Sequence, residues 1–361
     1  MRPRRPPPDP NRQTLAKLTN SASLHLQFIN FTYPYGIPGY GVCGMLQAYG
    51  SNTRPTSATT LECCEVIDAI RYKAGFLPEV QLAYEAEIKT LWVTIKPELK
   101  PVFTLQLLDS LGKIQRAIFA LWGAPDQYHT APVRFLAFRG TGPFFTLGGD
   151  LDFYLDCLAK NDRAALAEYA RLSIEGAVWN ASGLNGLVIT LSTIHAKAIG
   201  GGIDAPRSCN IMIAEEQASF VYPEIKFNHF PITAVAILSR RMGARAAERM
   251  LLSGEEMSAA EFMEAGGLEA VVPAGSGDDW IRKYAADSLP VHAAKTALFS
   301  AFNRRAGDLR EELAHLGQIW TDCMLRLNPS AISKLQRIAQ TQDRMLARVY
   351  QRPATVALAG V

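Results

Sequence analysis

Several features that would point to particular classes of protein are missing from this sequence. No run of about 18 uncharged apolar residues occurs, so no membrane-spanning helix is predicted. The six cysteines form no CxxC pair, and the adjacent Cys63 and Cys64 are a poor pattern for a disulfide or a zinc site. We therefore expect reduced thiols, no metal centre and a cytoplasmic location.

An excess of charge of one sign is also missing. Lys and Arg number 37 against 34 Asp and Glu, which leaves a formal net charge of +3. This balance gives no electrostatic footprint for a nucleic acid or a membrane surface. With 361 residues and 48% hydrophobic composition, the chain can bury a large core. The balanced charge fits a soluble protein with a small partner better than one that binds a nucleic acid or a membrane.

The texture of the sequence divides the chain into three parts. Residues 1–85 are rich in Pro, Tyr, Gly and Asn and show weak periodicity, which predicts an irregular N-terminal extension. The first ten residues lack the apolar stretch that a secretory signal needs, and we expect them to be disordered. Residues 86–275 are predicted to form the core, and residues 276–361 a C-terminal helical region for oligomerisation or for closing the site.

Within the core the hydrophobic period alternates between that of strands and that of helices. Leu91, Val93 and Ile95 recur at every second position, which predicts a half-buried strand. Between Leu107 and Leu121 the apolar spacing is four and three, which predicts one face of a helix. The other predicted segments are strands near 133–138, 186–194, 210–214 and 268–272, and helices near 162–179, 234–242, 244–252, 258–264 and 279–350. This alternation predicts an α/β protein built from βαβ units.

Three short segments carry the candidate chemistry. Leu147–Asp150 reads Leu-Gly-Gly-Asp, residues 198–204 place three glycines before Asp204, and Pro223–Glu224 ends twenty residues after that acid. Glycines let a substrate carbonyl approach backbone N–H groups without a Cβ in the way. Two carboxylates placed close together can act as general acid and general base in a proton transfer. Each segment alone is also typical of an ordinary turn, so the order and spacing carry the argument.

In order and spacing these segments resemble the crotonase (enoyl-CoA hydratase/isomerase) superfamily. The resemblance implies a ClpP-like spiral fold of ββα units and a homotrimer or hexamer. It implies Asp204 and Glu224 as the catalytic pair, and the N–H groups of Leu147 and Gly201 as the oxyanion hole. It also implies that the neighbouring glycines contact the substrate, namely Gly148, Gly149 and Gly200.

Within that superfamily the sequence looks most like diffusible signal factor synthases. These enzymes dehydrate a 3-hydroxyacyl thioester and then hydrolyse the thioester, which yields a fatty-acid signal for quorum sensing. The likeness lies in residues 146–151, 213–216, 223–227 and 319–322, where Trp320 would help to close the acyl pocket. It implies a substrate carried by CoA or by acyl carrier protein, and no other cofactor.

Two departures from that pattern leave other functions open. Asp204 stands where those synthases carry Glu, so its carboxylate is one methylene shorter. Tyr222 stands where they carry a small residue, and it is expected to contact the substrate and reshape the acyl pocket. A crotonase-like isomerase, hydrolase or decarboxylase is the alternative enzyme. A noncatalytic crotonase-fold binding or scaffold protein is the alternative without catalysis.

Four other polar residues are weaker candidates. His195 lies at the end of a predicted buried strand, where a structural hydrogen bond is more typical than catalysis. Lys226 and Arg207 are candidates for contact with a phosphopantetheine or a carrier protein. His229, close to Glu224 in the sequence, is a further candidate for the proton chemistry.

Overall fold

The structure is a computed structural model that describes residues 63–96 and 100–350. Its strands are β1 (Val80–Glu85), β2 (Thr90–Ile95), β3 (Phe135–Gly140), β4 (Ile189–Ile194), β5 (Ala198–Ile199), β6 (Ile211–Glu215), β7 (Ser219–Val221), β8 (Glu256–Ser258) and β9 (Ala270–Val272). The main sheet has the order β1-β2-β3-β4-β6-β9 and the small sheet the order β5-β7-β8. In the main sheet only β1 is antiparallel to its neighbour, so helical crossovers must connect the other strands.

Helices join and cover these strands. They are α1 (Cys63–Ala74), α2 (Leu105–Trp122), α3 (Leu151–Lys160), α4 (Arg163–Gly186), α5 (Gly201–Ser208), α6 (Ala234–Met242), α7 (Ala244–Ser253), α8 (Ala259–Glu264), α9 (Gly277–Ser288), α10 (His292–Arg305), α11 (Leu309–Leu325) and α12 (Pro329–Tyr350). The acid of the Leu-Gly-Gly-Asp segment has a structural use, because the Asp150 side chain accepts a hydrogen bond from the Phe153 N–H and caps α3.

Both faces of the main sheet are buried. Leu91 and Val93 pack into the larger core cluster with residues of α2 and α4. Trp92 and Phe135 point to the other face and pack with Ile281 of α9. The half-buried strand predicted at residues 91–95 is therefore wrong in its burial, since all six residues of β2 are buried. Coverage of both faces is typical of parallel sheets, where crossover helices lie on each side.

The irregular extension predicted for residues 1–85 is wrong for residues 63–85. Val66 and Ile70 bury one face of α1, and β1 pairs with β2 so that Leu82 lies opposite Val93. Short amphipathic segments of this kind depend on tertiary partners for their stability. Residues 1–62, which include the ten residues expected to be disordered, lie outside the described part of the chain.

The helical C-terminal region is confirmed, since α9 to α12 occupy nearly all of residues 277–350. The helix predicted at 162–179 continues to Gly186, and its last turn contains Gly183, Leu184 and Asn185 with positive φ. Within residues 63–96 and 100–350, none of the helices combines the length and the apolar character needed to cross a membrane.

Candidate active site

A cavity of about 380 Å³ lies beyond the carboxyl ends of β3, β4 and β7. Its walls come from the loop after β3, the start of α5, the turn after β7, and side chains of α3, α4, α11 and α12. The fold brings the three predicted segments together, because β5 and β7 run in parallel and Thr146 forms a parallel bridge with Ala198 at the start of β5, so that all three segments follow at the same edge. Asp204, Glu224, Leu147 and Gly201 all line this cavity.

The triple glycine forms a sharp turn that leads into α5. Gly200 has a φ of +56°, and a Cβ built on it would lie 2.1 Å from Oε1 of Glu224, so no other residue fits there. Gly201 begins α5, and a Cβ at that position would meet nothing within 4 Å. The turn thus presents a helix N-terminus to the cavity, where the exposed N–H groups favour negative charge.

One carboxylate oxygen of Glu224 accepts a hydrogen bond and the other does not. Glu224 lies in a short 3₁₀ turn after β7, and its Oε1 accepts a hydrogen bond from the Gly201 N–H at 3.0 Å. Its Oε2 is buried and makes no hydrogen bond to any residue that the structure describes. Burial, together with the nearby charge of Asp204, raises the pKa of Glu224 to about 8. A carboxyl group with a pKa close to neutrality can both take and return a proton.

Both carboxylate oxygens of Asp204 accept hydrogen bonds from side chains and backbone of the protein itself. The Tyr222 hydroxyl donates to Oδ1 at 2.6 Å. Thr233 donates twice to Oδ2, through its hydroxyl at 2.8 Å and its N–H at 3.3 Å. Burial raises the pKa of Asp204 to about 6, and these hydrogen bonds oppose the rise. Asp204 is therefore held as a hydrogen-bond acceptor between α5, β7 and the start of α6.

Tyr222 is not where the sequence predicted it. Its side chain is almost fully buried and is not among the residues that line the cavity, whereas its neighbours Val221 and Pro223 are. Adjacent residues of an extended segment point to opposite sides, so Tyr222 points behind the wall, towards Asp204. The predicted contact between Tyr222 and the substrate is therefore wrong. The Tyr222 hydroxyl binds Asp204 instead.

The oxyanion prediction for Leu147 is wrong. The Leu147 N–H donates to the carbonyl oxygen of Pro101 at 2.6 Å, so it is not available to a substrate. Gly149 lines the same cavity, and its N–H makes no hydrogen bond within the described ranges. A Cβ on Gly149 would lie 2.3 Å from the Tyr154 hydroxyl oxygen. The geometry thus favours Gly149, with Gly201, as the donor pair.

The loop that contains Gly149 is held from two sides. The Leu147 N–H bonds to Pro101, and the Leu147 carbonyl oxygen accepts a hydrogen bond from Nε2 of Gln342 at 3.1 Å. Gln342 is a buried residue of α12, 195 positions further along the chain. Gln342 could not be predicted from the sequence, because a lone Gln in a helical pattern gives no signal of such a contact.

Aromatic side chains close the inner side of the cavity. Trp320 of α11 is 1% exposed and lines the cavity, as do Tyr154 and Tyr169. The rings of Trp320 and Tyr154 meet edge to face, with centroids 5.5 Å apart. This is where the resemblance placed Trp320, and the wall suits an acyl chain because it is largely apolar.

The weaker candidates divide between the core and the cavity. Nε2 of His195 lies 2.9 Å from the carbonyl oxygen of Gly142, which is the structural hydrogen bond that was expected. Arg207 is fully buried and pairs with Glu269 at 2.9 Å, so the carrier contact suggested for it is wrong. His229 does line the cavity, and burial lowers its pKa to about 4, so its ring is neutral near neutral pH.

Comparison with known proteins identifies a family. The family described as enoyl-CoA hydratase/isomerase matches residues 133–317, just over half of the chain. The matched segment contains both carboxylates and both glycine turns. It ends within α11, so that Trp320 and the whole of α12 lie beyond it.

Curated relatives share the central part of the chain. A protein of Bacillus subtilis, described as a probable enoyl-CoA hydratase, is 29% identical over 143 residues, which are 39% of this chain and 53% of that protein. An enoyl-CoA isomerase/hydratase of Mycosarcoma maydis is 24% identical over 222 residues, which are 58% of this chain and 76% of that protein. The chain thus spans about half the length of the Bacillus relative.

Solved structures share the fold. An enoyl-CoA hydratase of Bacillus halodurans has a TM-score of 0.60 at 19% identity and covers 72% of this chain and 99% of its own. Human mitochondrial delta3-delta2-enoyl-CoA isomerase has a TM-score of 0.62 at 18% identity and covers 74% and 99%. These matches confirm the predicted crotonase fold. The chain belongs to the enoyl-CoA hydratase/isomerase family, within the crotonase superfamily.

Proposed function

We propose that this chain is an acyl-thioester enzyme that moves a proton along the acyl chain, with Glu224 as its single acid and base. The reaction that fits best is the isomerisation of a 3-enoyl thioester to a 2-enoyl thioester. The observation that carries this proposal is the contrast between the two carboxylates. Asp204 has protein donors on both oxygens, whereas Oε2 of Glu224 has none.

A single carboxyl group is sufficient for this reaction. Ionised Glu224 takes a proton from the α-carbon, and the electron pair moves onto the thioester oxygen to form a dienolate. The N–H groups of Gly149 and Gly201 stabilise that oxygen. Glu224 then returns the same proton to the γ-carbon, the carbonyl re-forms, and the double bond lies between the α- and β-carbons. No water or second acid is consumed.

Substrate binding requires one hydrogen bond to be exchanged. Oε1 of Glu224 accepts from the Gly201 N–H in this structure, which is one of the two proposed oxyanion donors. The thioester oxygen would replace Oε1 there, and Glu224 would be released to reach the α-carbon. Because charge grows on the thioester oxygen in the transition state, this exchange favours the transition state over the bound substrate.

The second candidate is the reaction of a diffusible signal factor synthase. It is supported by Trp320 and Tyr154, whose apolar wall suits a medium or long acyl chain. Dehydration of a 3-hydroxyacyl thioester moves a proton from the α-carbon and also removes a hydroxyl group, which calls for a second group to protonate the leaving oxygen. Asp204 could be that second group only if it gave up its hydrogen bond to Tyr222 or to Thr233.

The two candidates separate on three substrates. The protein is incubated with 3-enoyl, 3-hydroxyacyl and saturated acyl thioesters of one chain length, and the products are identified by mass spectrometry. We expect conversion of the 3-enoyl thioester alone, with little deuterium from D₂O in the product, because Glu224 returns the proton that it took from the α-carbon. Free fatty acid from the 3-hydroxyacyl thioester would replace our proposal with the synthase. An unchanged panel would favour a noncatalytic binding protein.

The remaining expectations follow from the family and are part of this proposal. We propose that the thioester carrier is the only cofactor-like group in the reaction. We also propose a homotrimer or hexamer, for which light scattering of the purified protein is the direct measurement.

A further inference from the structure

One edge of α12 combines cavity lining with positive charge. Ile338, Thr341 and Met345 line the cavity, and four exposed positions beside them on the helix are basic. These four residues, which we call the α12 basic ridge, are Lys334, Arg337, Arg344 and Arg348. The ridge therefore borders the same cavity that contains Glu224.

The positive charge on α12 is confined to this edge. With 3.6 residues per turn, the buried stripe through Leu335, Ala339 and Leu346 faces the core. The cavity-lining positions lie to one side of that stripe, and the ridge lies immediately beyond them. The exposed positions on the opposite side, among them Gln340 and Asp343, contain no basic residue. A helix that only needed solvation would have no reason to sort its charges in this way.

No acidic neighbour neutralises the ridge. Its side chains form no ion pair with any residue in the described part of the chain, whereas nearby Lys100 pairs with Asp152 and Asp343. Nζ of Lys334 lies 3.5 Å from the carbonyl oxygen of Lys226. Lys226 belongs to the same 3₁₀ turn as Glu224. At the other end of the helix, Leu346 packs with Leu147. The ridge thus runs past the cavity from the turn of Glu224 to the oxyanion loop.

We propose that the α12 basic ridge docks a small acidic carrier protein that presents the acyl thioester to the cavity on its prosthetic arm. This inference rests on the proposed thioester function. From Lys334 to Arg348 the ridge is about 21 Å long and lies on a convex helix surface. A row of carboxylates on a partner helix matches such a row of cations.

A nucleotide carrier matches the ridge less well. The phosphate groups of CoA lie close together, and small ligands of this kind bind in concave sites that enclose them. The ridge also lies outside residues 133–317, the segment that the enoyl-CoA hydratase/isomerase family matches. Carrier recognition by α12 would therefore be a property of this chain beyond what the family match describes.

The test compares one acyl group on three carriers. A 3-enoyl group is attached to pantetheine, to CoA and to a bacterial acyl carrier protein, and kcat/KM is measured for wild type and for K334E/R337E/R344E/R348E. A matched control reverses four exposed charges on helices that do not line the cavity, R71E/K73E/R245E/R304E. Thermal unfolding is measured for both variants to establish that they fold.

We expect the ridge variant to lose at least about tenfold in kcat/KM with the carrier-protein thioester and to stay within about twofold of wild type with pantetheine. Raising the ionic strength to about 0.5 M should weaken the wild-type reaction with the carrier protein and leave the variant unchanged. The control variant should behave as wild type with all three carriers.

Other results would overturn the inference. Equal loss of carrier-protein activity in the control variant would show a general effect of net charge. Loss confined to the CoA thioester would assign the ridge to nucleotide phosphates. If wild type turns over none of the three thioesters, the proposed function fails. Binding of the acyl carrier protein to wild type and to the ridge variant, measured by calorimetry, then tests the ridge by itself.

Discussion

Two buried carboxylates line one cavity, and their surroundings differ completely. Asp204 is held by Tyr222 and Thr233 on both oxygens, whereas Glu224 has one oxygen on Gly201 and the other without a partner. A buried polar atom without a partner costs about 1–3 kcal/mol, and such costs are typical of functional sites. The position of a residue in a motif thus places its side chain, while its hydrogen-bond partners determine what that side chain can do.

Replacement of the unpartnered carboxyl group should have the largest effect. Glu224→Gln keeps the shape and the hydrogen bond to Gly201 but cannot exchange a proton. We expect kcat for 3-enoyl isomerisation to fall about 10³-fold, within the range typical of general acid–base catalysis. Steady-state kinetics give the value, and an unchanged melting temperature is the control for folding. Activity close to that of wild type would remove Glu224 from the mechanism.

The pH dependence of the reaction should report the same group. Because burial raises the pKa of Glu224 to about 8, the carboxyl group is largely protonated at pH 6 and becomes an effective base only as the pH rises. We expect kcat/KM for the 3-enoyl thioester to rise about tenfold per pH unit up to about pH 8 and then to level off. A flat profile between pH 6 and 8 would contradict this assignment.

Asp204→Asn should separate a structural role of Asp204 from a catalytic one. Asn offers one acceptor oxygen in place of two, so either Tyr222 or Thr233 loses its partner. We expect a loss of about 1–3 kcal/mol in the free energy of unfolding and a fall in kcat of no more than about tenfold. Denaturant titration measures the first, with the exposed Asp68→Asn as the matched control. A loss of kcat as large as that of Glu224→Gln would restore a two-carboxylate mechanism.

Removal of the hydrogen bond from Gln342 should have the smallest effect. Gln342→Met keeps the length of the side chain but cannot donate to the Leu147 carbonyl oxygen, so the loop that contains Gly149 loses one of its two anchors. We expect kcat to fall by about tenfold or less with KM little changed, which is roughly 1 kcal/mol of transition-state stabilisation. The exposed Gln340→Met is the control. An increase in KM alone would indicate that α12 only shapes the binding pocket.

Much of the fold was predictable, and the failures have one physical origin. Leu91, Val93 and Ile95 predicted β2 from local periodicity, but the burial of Trp92 depends on α9, whose residues come about 190 positions later. The segment 63–85 looked irregular because its few apolar residues acquire a pattern only when α2 and β2 lie against them. The continuous helical texture after residue 276 predicted the C-terminal helices well, since no tertiary partner was needed to recognise it.

The sequence by itself, through the resemblance of its three short segments to a known superfamily, predicted that Glu224, Asp204 and the glycine turns reach the cavity, because the order and spacing of those segments can be read without the fold. Only the tertiary structure decided what each can do. The Pro101 carbonyl oxygen accepts a hydrogen bond from the Leu147 N–H. Thr233 and Tyr222 donate hydrogen bonds to Asp204, and the α12 basic ridge borders the cavity. Hydrogen bonds and charges act through space over a few ångströms, and their partners come from distant parts of the chain.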